Sequence, residues 1–261
     1  MNKAAIKRAI WMLQAIWLAS KGAQSGYCTA CGKSVPAFLP YRSGASALSP
    51  ILRDLNLNGS NLNRFRCPRC GSSDRERHLL AFIERADSIQ FHDSRVLHFA
   101  PEQAIKELIL KNAPHEYVQA DLFPAHPDVI KIDITRMPFE SAHFDLVIAN
   151  HVLEHVDNDS AALNEIFRVL RNGGHAILQT PYATRLPTTI EAEQVRSPDA
   201  RLALYGQEDH IRLYGTDLFS RIERHGFIPR LRSHDDVLRD MGPDYHGVNA
   251  NEPFMHFVKP D

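Results

Sequence analysis

The sequence is poor in cysteine, and it has no apolar run long enough to form a membrane-spanning helix. The net charge is also small, at −1, but it is unevenly distributed. Residues 1–85 carry 13 Lys and Arg against 4 Asp and Glu, and the rest of the chain is acidic. The basic first third favours an anionic partner such as RNA, a membrane surface or a phosphorylated substrate, or else docking on the acidic remainder of the same chain.

The only cysteines form two matched pairs, each with the pattern C-x-x-C-G: Cys28 and Cys31, then Cys67 and Cys70. Two residues between the sulfurs let both thiolates bind one ion, and the glycine permits the tight turn around it. Two disulfides or redox-active thiols are the alternatives. We expect one structural zinc ion with four cysteine ligands, and an inserted loop over roughly 42–63 that absorbs the long gap between the pairs.

The first 20 residues combine cationic and apolar side chains with two tryptophans. This stretch is too short to span a bilayer, and Gln14 interrupts the apolar run that a signal peptide would need. A helix packed on the protein and a helix lying on a membrane surface are both compatible with it. We therefore predict a cytoplasmic protein without a transmembrane segment, with peripheral contact at the inner membrane face through residues 1–20 left open.

Apolar strands alternate with amphipathic helices after the second cysteine pair. Strands are predicted at 95–100, 116–122, 129–134, 144–150 and 175–181, helices at 74–87, from Pro101 onward and at 158–171, and late strands near 226–232 and 253–259. This alternation predicts a parallel α/β sheet whose ligands bind at the carboxyl ends of the strands. We divide the chain into an amphipathic helix (1–25), a zinc module (26–75) and a catalytic domain (76–261).

Two acidic residues end predicted strands, in positions suited to a nucleoside. Asp121 can accept hydrogen bonds from both hydroxyls of a ribose, and Asp133 can accept one from an adenine amino group. Leu122 and Ile134, which follow them, can enclose a purine ring.

The run DITRMPFESAHFDLVIANHVLEHVDNDSAALNEIFRVLRNGGHAILQTP (133–181) resembles class I S-adenosylmethionine-dependent methyltransferases of the type 11 kind. The resemblance is specific over these residues and looser from roughly 95 to 231. It implies a Rossmann-like, mostly parallel sheet of seven strands with one antiparallel strand, and S-adenosylmethionine as cofactor. The cofactor-binding residues that we expect are Ala100, Pro101, Glu102, Asp121, Leu122, Asp133, Ile134, Asn150 and His151.

Two features depart from that family. Its first loop usually contains several glycines, whereas residues 98–104 contain none, so this loop must take another path. Glu102 is placed to bind the ammonium group of the cofactor. Only residues 122–128 separate the second and third strands, which leaves no room for the usual helix.

Three other functional classes can be weighed against this interpretation. HVLEH (151–155) has the form of a zinc-protease motif, but it directly follows a buried strand. A nicotinamide dehydrogenase would need G-x-G-x-x-G after the first strand, which is absent. A non-catalytic nucleotide-binding or zinc scaffold remains open because of the glycine-free loop.

His155 and His210 are the candidate catalytic bases, because histidine titrates in the range that proton removal from an acceptor requires. A structural hydrogen bond is the alternative role for His155. We expect the lid segment (residues 182–214) to cover the acceptor. The first-choice acceptor is a small molecule such as a sugar, a lipid-linked intermediate or another metabolite, methylated on O or N. RNA bound by the basic zinc module is the second choice.

Overall fold

A computed structural model of the chain describes residues 3–261, without the side chains of residues 3 and 4. The helices are α1 (Lys3–Ser20), α2 (Pro50–Asp54), α3 (Asp74–Arg85), α4 (Gln103–Lys111), α5 (Asp159–Val169), α6 (Pro198–Tyr205), α7 (Leu218–Glu223), α8 (His234–Val237) and α9 (Pro243–His246). The strands are β1 (Gly26–Cys28), β2 (Lys33–Val35), β3 (Leu57–Asn58), β4 (Arg95–Phe99), β5 (Glu116–Asp121), β6 (Ile130–Lys131), β7 (Phe144–Ala149), β8 (Leu170–Ile177), β9 (Tyr182–Ala183), β10 (Ile228–Pro229) and β11 (His256–Val258).

Seven strands form the central sheet in the order β10-β11-β8-β7-β4-β5-β6. Strands β4 to β8 pair in parallel, and β11 runs antiparallel between β8 and β10. The predicted α/β class, with a mostly parallel seven-stranded sheet and one antiparallel strand, is confirmed. The carboxyl ends of β4, β5 and β7 consequently meet at one edge.

Apolar clusters cover both faces of the sheet. One buries α5 and α7 against the sheet, with Ile166 and Ile222 fully inaccessible. The other buries α3 and α4, with Phe82 and Ile105 fully inaccessible. The inward side chains of β7 contribute to both clusters, which explains why this strand reads as a continuous apolar run.

Two helix boundaries differ from the sequence prediction. Helix α4 does not begin at Pro101, because Glu102 has extended backbone angles and is the N-cap. Helix α5 ends at Val169, before the predicted end at residue 171, because Leu170 is already extended and pairs with Phe144 in the sheet.

The lid segment is more regular than predicted, and the N-terminal module is attached to it. Strand β3 pairs antiparallel with β9, and α2 packs on α6. Leu52 of the module and Tyr205 of the lid share a small buried cluster. The inserted loop between the cysteine pairs therefore forms part of the lid's support. Among residues 3–261, no helix has both the length and the apolar character to cross a membrane.

Candidate active site

A cavity of about 570 Å³ opens at the carboxyl ends of the central strands, and we call it the strand-end cavity. Six of the nine predicted cofactor residues line it: Ala100, Asp121, Leu122, Asp133, Ile134 and His151. His155 lines it as well. Pro101, Glu102 and Asn150 lie next to it, without forming its wall.

The two acidic residues of the strand-end cavity have similar surroundings. One carboxylate oxygen of Asp121 accepts the Phe123 amide at 2.8 Å. One oxygen of Asp133 accepts both the amide and the hydroxyl of Thr135, at 2.8 and 2.7 Å. These bonds fix each carboxylate, and among the described residues the second oxygen of each makes no hydrogen bond. Both side chains can therefore accept hydrogen bonds from a ligand.

Sequence reasoning missed Phe123, whose ring is 78% exposed at the wall of this cavity. Leu122 beside it is 45% exposed. Two large apolar side chains directly after a strand of the central sheet are a detectable signal, because solvent exposure of both is costly unless a ligand covers them.

One residue of the glycine-free loop has a backbone conformation that is usually found at glycine. Ala100 has a φ of +47°, in the left-handed region. The following Glu102 carboxylate accepts from Asn150 and lies 2.9 Å from Nε2 of His98. The loop is thus held, without glycine, by a side chain of β4 and by the side chain that directly follows β7.

A second, smaller cavity of about 120 Å³ lies between the N-terminal module and the lid, and we call it the module–lid cavity. Its module side includes Tyr41, Leu48, Leu62, Phe65 and Arg75, and its lid side includes Leu202, Tyr205 and His210. Arg75 is half-buried, and among residues 3–261 its guanidinium makes no hydrogen bond or ion pair. The cavity therefore combines an apolar body with one uncompensated positive charge.

His151 lines both cavities and thus lies where they meet. It follows β7 with a φ of +55°, an uncommon conformation for a side chain of this size. Its Nδ1 lies 3.3 Å from Glu154, and its Nε2 lies 3.1 Å from Glu252. Burial and the charge of Arg75 oppose protonation, but the two carboxylates outweigh them and raise the pKa of His151.

The two candidate bases lie side by side at this junction, with ring centroids 4.7 Å apart. Nδ1 of His210 is 3.0 Å from the carbonyl of Tyr205, which makes Nδ1 the protonated nitrogen and leaves Nε2 as a lone-pair acceptor. That Nε2 is buried, has no hydrogen-bond partner among the described residues, and lies 3.9 Å from Glu154. Burial, together with the neighbouring His155, lowers the pKa of His210. His210 is thus neutral at neutral pH.

Glu154 completes the cluster as a buried charge. Burial opposes its ionisation, but His151 and the neighbouring histidines lower its pKa to about 2. Residues 153–155 form one short 3-10 turn. This is not the long helix that a zinc protease needs, so the H-x-x-E-H pattern has no protease geometry here.

The four cysteines converge as the sequence predicts. Their sulfur atoms all lie within 4.8 Å of one another, and Sγ of Cys28 is 3.7 Å from Sγ of Cys70. A tetrahedron with zinc–sulfur bonds of about 2.3 Å has edges of about 3.8 Å, so the donor set fits zinc. All four cysteines are free thiols, and Cys28 and Cys67 are fully buried.

Comparison with known proteins places this geometry in context. Residues 103–178 match the family described as "Methyltransferase domain". No curated protein gives a significant match to the sequence. A solved S-adenosylmethionine-dependent methyltransferase from Archaeoglobus fulgidus aligns with a TM-score of 0.50 at 14% identity, covering 72% of this chain and 95% of that chain.

Two further solved structures are similar at lower scores. A 1,6-didemethyltoxoflavin-N1-methyltransferase from Burkholderia thailandensis, with bound 1,6-didemethyltoxoflavin and S-adenosylhomocysteine, has a TM-score of 0.46 at 16% identity, covering 71% of this chain and 78% of that chain. An S-adenosylmethionine-dependent methyltransferase from Mesorhizobium loti has a TM-score of 0.47 at 13% identity, covering 65% and 91%. The fold expected from the sequence motifs is confirmed by the first of the three comparisons.

Proposed function

We propose that this chain, which carries a methyltransferase domain at residues 103–178, transfers a methyl group from S-adenosylmethionine to the oxygen or nitrogen of a small-molecule acceptor. The observation that carries the proposal is the position of His151, which lines both the strand-end cavity and the module–lid cavity. Two ligands that occupy these cavities would meet at one side chain, as transfer between them requires.

The strand-end cavity is the proposed cofactor site. Asp121 accepts from the ribose hydroxyls and Asp133 from the adenine amino group, each through the oxygen that its own loop leaves free. Leu122 and Ile134 enclose the base, and Phe123 adds apolar surface. Glu102, with Ala100, Pro101 and Asn150 around it, is the proposed partner of the ammonium group, and its carboxylate would exchange a bond to Asn150 or His98 for the ligand. When bound, the cofactor supplies an electrophilic methyl group on a sulfonium.

The module–lid cavity is the proposed acceptor site. Its leucines and aromatic rings suit an apolar or sugar-like body, and the uncompensated Arg75 suits a carboxylate or phosphate on the same molecule. A lipid-linked intermediate or another acidic metabolite has this combination of properties. The size of the cavity favours one small part of such a molecule at the junction.

His210 is the proposed base. Its Nε2 carries the lone pair, and the carbonyl of Tyr205 holds the ring in that tautomer. After Nε2 takes the proton from the acceptor, the Glu154 carboxylate 3.9 Å away stabilises the imidazolium. His155, beside it and open to the strand-end cavity, orients the pair through its contact with Asp209.

The four cysteines are proposed to hold one zinc ion that stabilises the module. All four positions around the metal are taken by sulfur, so the ion has no open site for chemistry. Ser72 supports this role, because its hydroxyl lies 3.4 Å from Sγ of Cys28 and 3.1 Å from Sγ of Cys70.

RNA as the acceptor is the weaker alternative, because the arginines that would bind it already have partners in the first 25 residues of the chain. Arg64 donates to the carbonyls of Gln24 and Ser25. The guanidinium of Arg66 stacks 4.8 Å from the ring of Trp11. This arrangement favours the small-molecule acceptor.

Isothermal titration calorimetry with S-adenosylhomocysteine tests the proposal. Asp121→Ala should weaken binding by about 1–3 kcal/mol, the scale of a lost hydrogen bond to a charged group. Asp87→Ala, an exposed aspartate away from the cavity, is the matched control and should bind like the wild type. Absence of saturable binding to the wild type at millimolar ligand would leave only a scaffold role.

A further inference from the structure

Helix α1 exposes an apolar stripe to solvent. Ile6, Ile10, Leu13 and Trp17 are 42%, 51%, 68% and 60% exposed. Their spacing of four, three and four residues puts them on one side of the helix. Five of the thirteen large hydrophobic side chains that are exposed in the described part of the chain lie on α1. Such a concentration marks a surface that another apolar phase covers.

The opposite side of α1 holds the helix to the protein. Ala15 is fully buried, and the ring of Trp11 lies so close to Gly71 that a Cβ there would approach it to 3.1 Å. The guanidinium of Arg66 stacks on the same ring. Because the opposite face of α1 packs on the protein, the direction in which the exposed stripe points is fixed relative to the zinc module.

The charge around the stripe has a single sign. The first 53 residues contain no Asp or Glu. The side chains of Lys7, Arg8 and Lys21 are exposed on or next to α1, and the ammonium of Lys7 lies 5.1 Å from the ring centroid of Trp11. An apolar stripe on a helix, within a segment whose only charged side chains are cations, is the pattern of a helix that lies in the surface of an anionic bilayer.

We propose that α1 docks the protein on the surface of a membrane that contains anionic lipid. The apolar stripe enters the boundary between headgroups and acyl chains, and the cations remain among the headgroups. A second copy of the chain would present the same cations to its partner, which disfavours pairing through this face. The inference does not depend on the methyl-transfer proposal.

The docked face of α1 is connected to the module–lid cavity through aromatic and cationic side chains. Arg66, which stacks on Trp11, lies 5.7 Å from the ring centroid of Phe65, and Phe65 lines the module–lid cavity. Arg66 thus connects the docked face of α1 with the cavity wall.

Vesicle flotation with the full-length protein tests the proposal. We expect binding to vesicles of phosphatidylcholine mixed with phosphatidylglycerol, much weaker binding to phosphatidylcholine alone, and weakening by added salt. Ile10→Asp combined with Leu13→Asp should lower the partition coefficient by roughly tenfold or more. Leu110→Asp on α4, at an exposed leucine of similar accessibility (52%), is the matched control and should bind like the wild type.

Tryptophan fluorescence shows whether a side chain of the stripe itself enters the bilayer. The chain has two tryptophans, so in Trp11→Phe only Trp17 reports. Its emission should shift to the blue and be quenched by brominated lipid. Failure of the wild type to float with anionic vesicles, or equal flotation of the double variant, would overturn the proposal. A wild-type dimer in light scattering that the double variant converts to a monomer would assign the stripe to self-association instead.

Discussion

Replacement of Arg77 by lysine should lower the free energy of unfolding by about 3 kcal/mol. Arg77 is fully buried at the N-terminal end of α3. All of its hydrogen bonds go to backbone carbonyls, namely those of Arg64, Phe65, Ser72, His246 and Gly247. The guanidinium thereby joins the zinc module to the C-terminal part of the chain.

The magnitude follows from the number of donors. A lysine ammonium has three N–H groups on one atom, so it cannot serve five carbonyls that are arranged around a planar fork. At least two buried carbonyls lose their donor, and each costs about 1–3 kcal/mol when left unsatisfied. The stacking of the guanidinium 4.2 Å from the ring centroid of Phe38 is lost as well. Because lysine keeps the positive charge, the loss of stability reflects the geometry of the hydrogen bonds.

Urea denaturation followed by circular dichroism, with zinc in excess, measures the change. Arg69→Lys is the matched control, because Arg69 is exposed and makes one bond, to the carbonyl of Ser34. Its free energy of unfolding should stay within about 0.5 kcal/mol of the wild type. The reasoning is refuted if Arg77→Lys is also within that margin.

Three further outcomes are expected. Elemental analysis of the wild type should give about one zinc ion per chain. Cys67→Ser should bind less zinc and unfold at a lower temperature. A wild type that contains disulfides and no metal would contradict the zinc site. His210→Ala should lower the turnover rate while S-adenosylhomocysteine affinity in calorimetry stays nearly unchanged; unaltered turnover would remove His210 as the base. Burial lowers the pKa of His256 from 6.5 to about 4. The unfolded chain therefore binds this proton more readily, and stability should fall as the pH drops from about 6.5 to 4. Urea midpoints over that range should depend less on pH in His256→Gln, and equal slopes would exclude the assignment.

The central sheet could be predicted because its signals are local. Strands such as β7 are short apolar runs bounded by polar residues, and the mostly parallel seven-stranded sheet with one antiparallel strand followed from the resemblance of residues 133–181 to methyltransferases. The boundaries were less accurate where tertiary pairing decides them. Leu170 leaves the helix because Phe144 offers it a strand partner, and nothing in the local sequence indicates that pairing.

The acceptor side of the site could be predicted only in part. Helix α6 was missed although its local signals are present: Ser197 caps its N-terminus and Gly206 ends it with a φ of +93°. The module–lid cavity, unlike helix α6, has no local signal in the sequence. Its walls come from segments far apart in the sequence, so Arg75 and His210 become neighbours only through the fold. The same holds for the bond between His151 and Glu252.

The attachment of the first part of the chain to the last has a consequence for synthesis on the ribosome. The zinc module emerges early, yet Arg77 bonds His246 and Gly247, and β11 must insert between β8 and β10. Neither contact can form until nearly the whole chain has left the exit tunnel. The apolar stripe of α1 leaves the ribosome before these C-terminal segments do. If α1 docks on a membrane as proposed, a nascent chain can therefore contact the bilayer before its central sheet is complete.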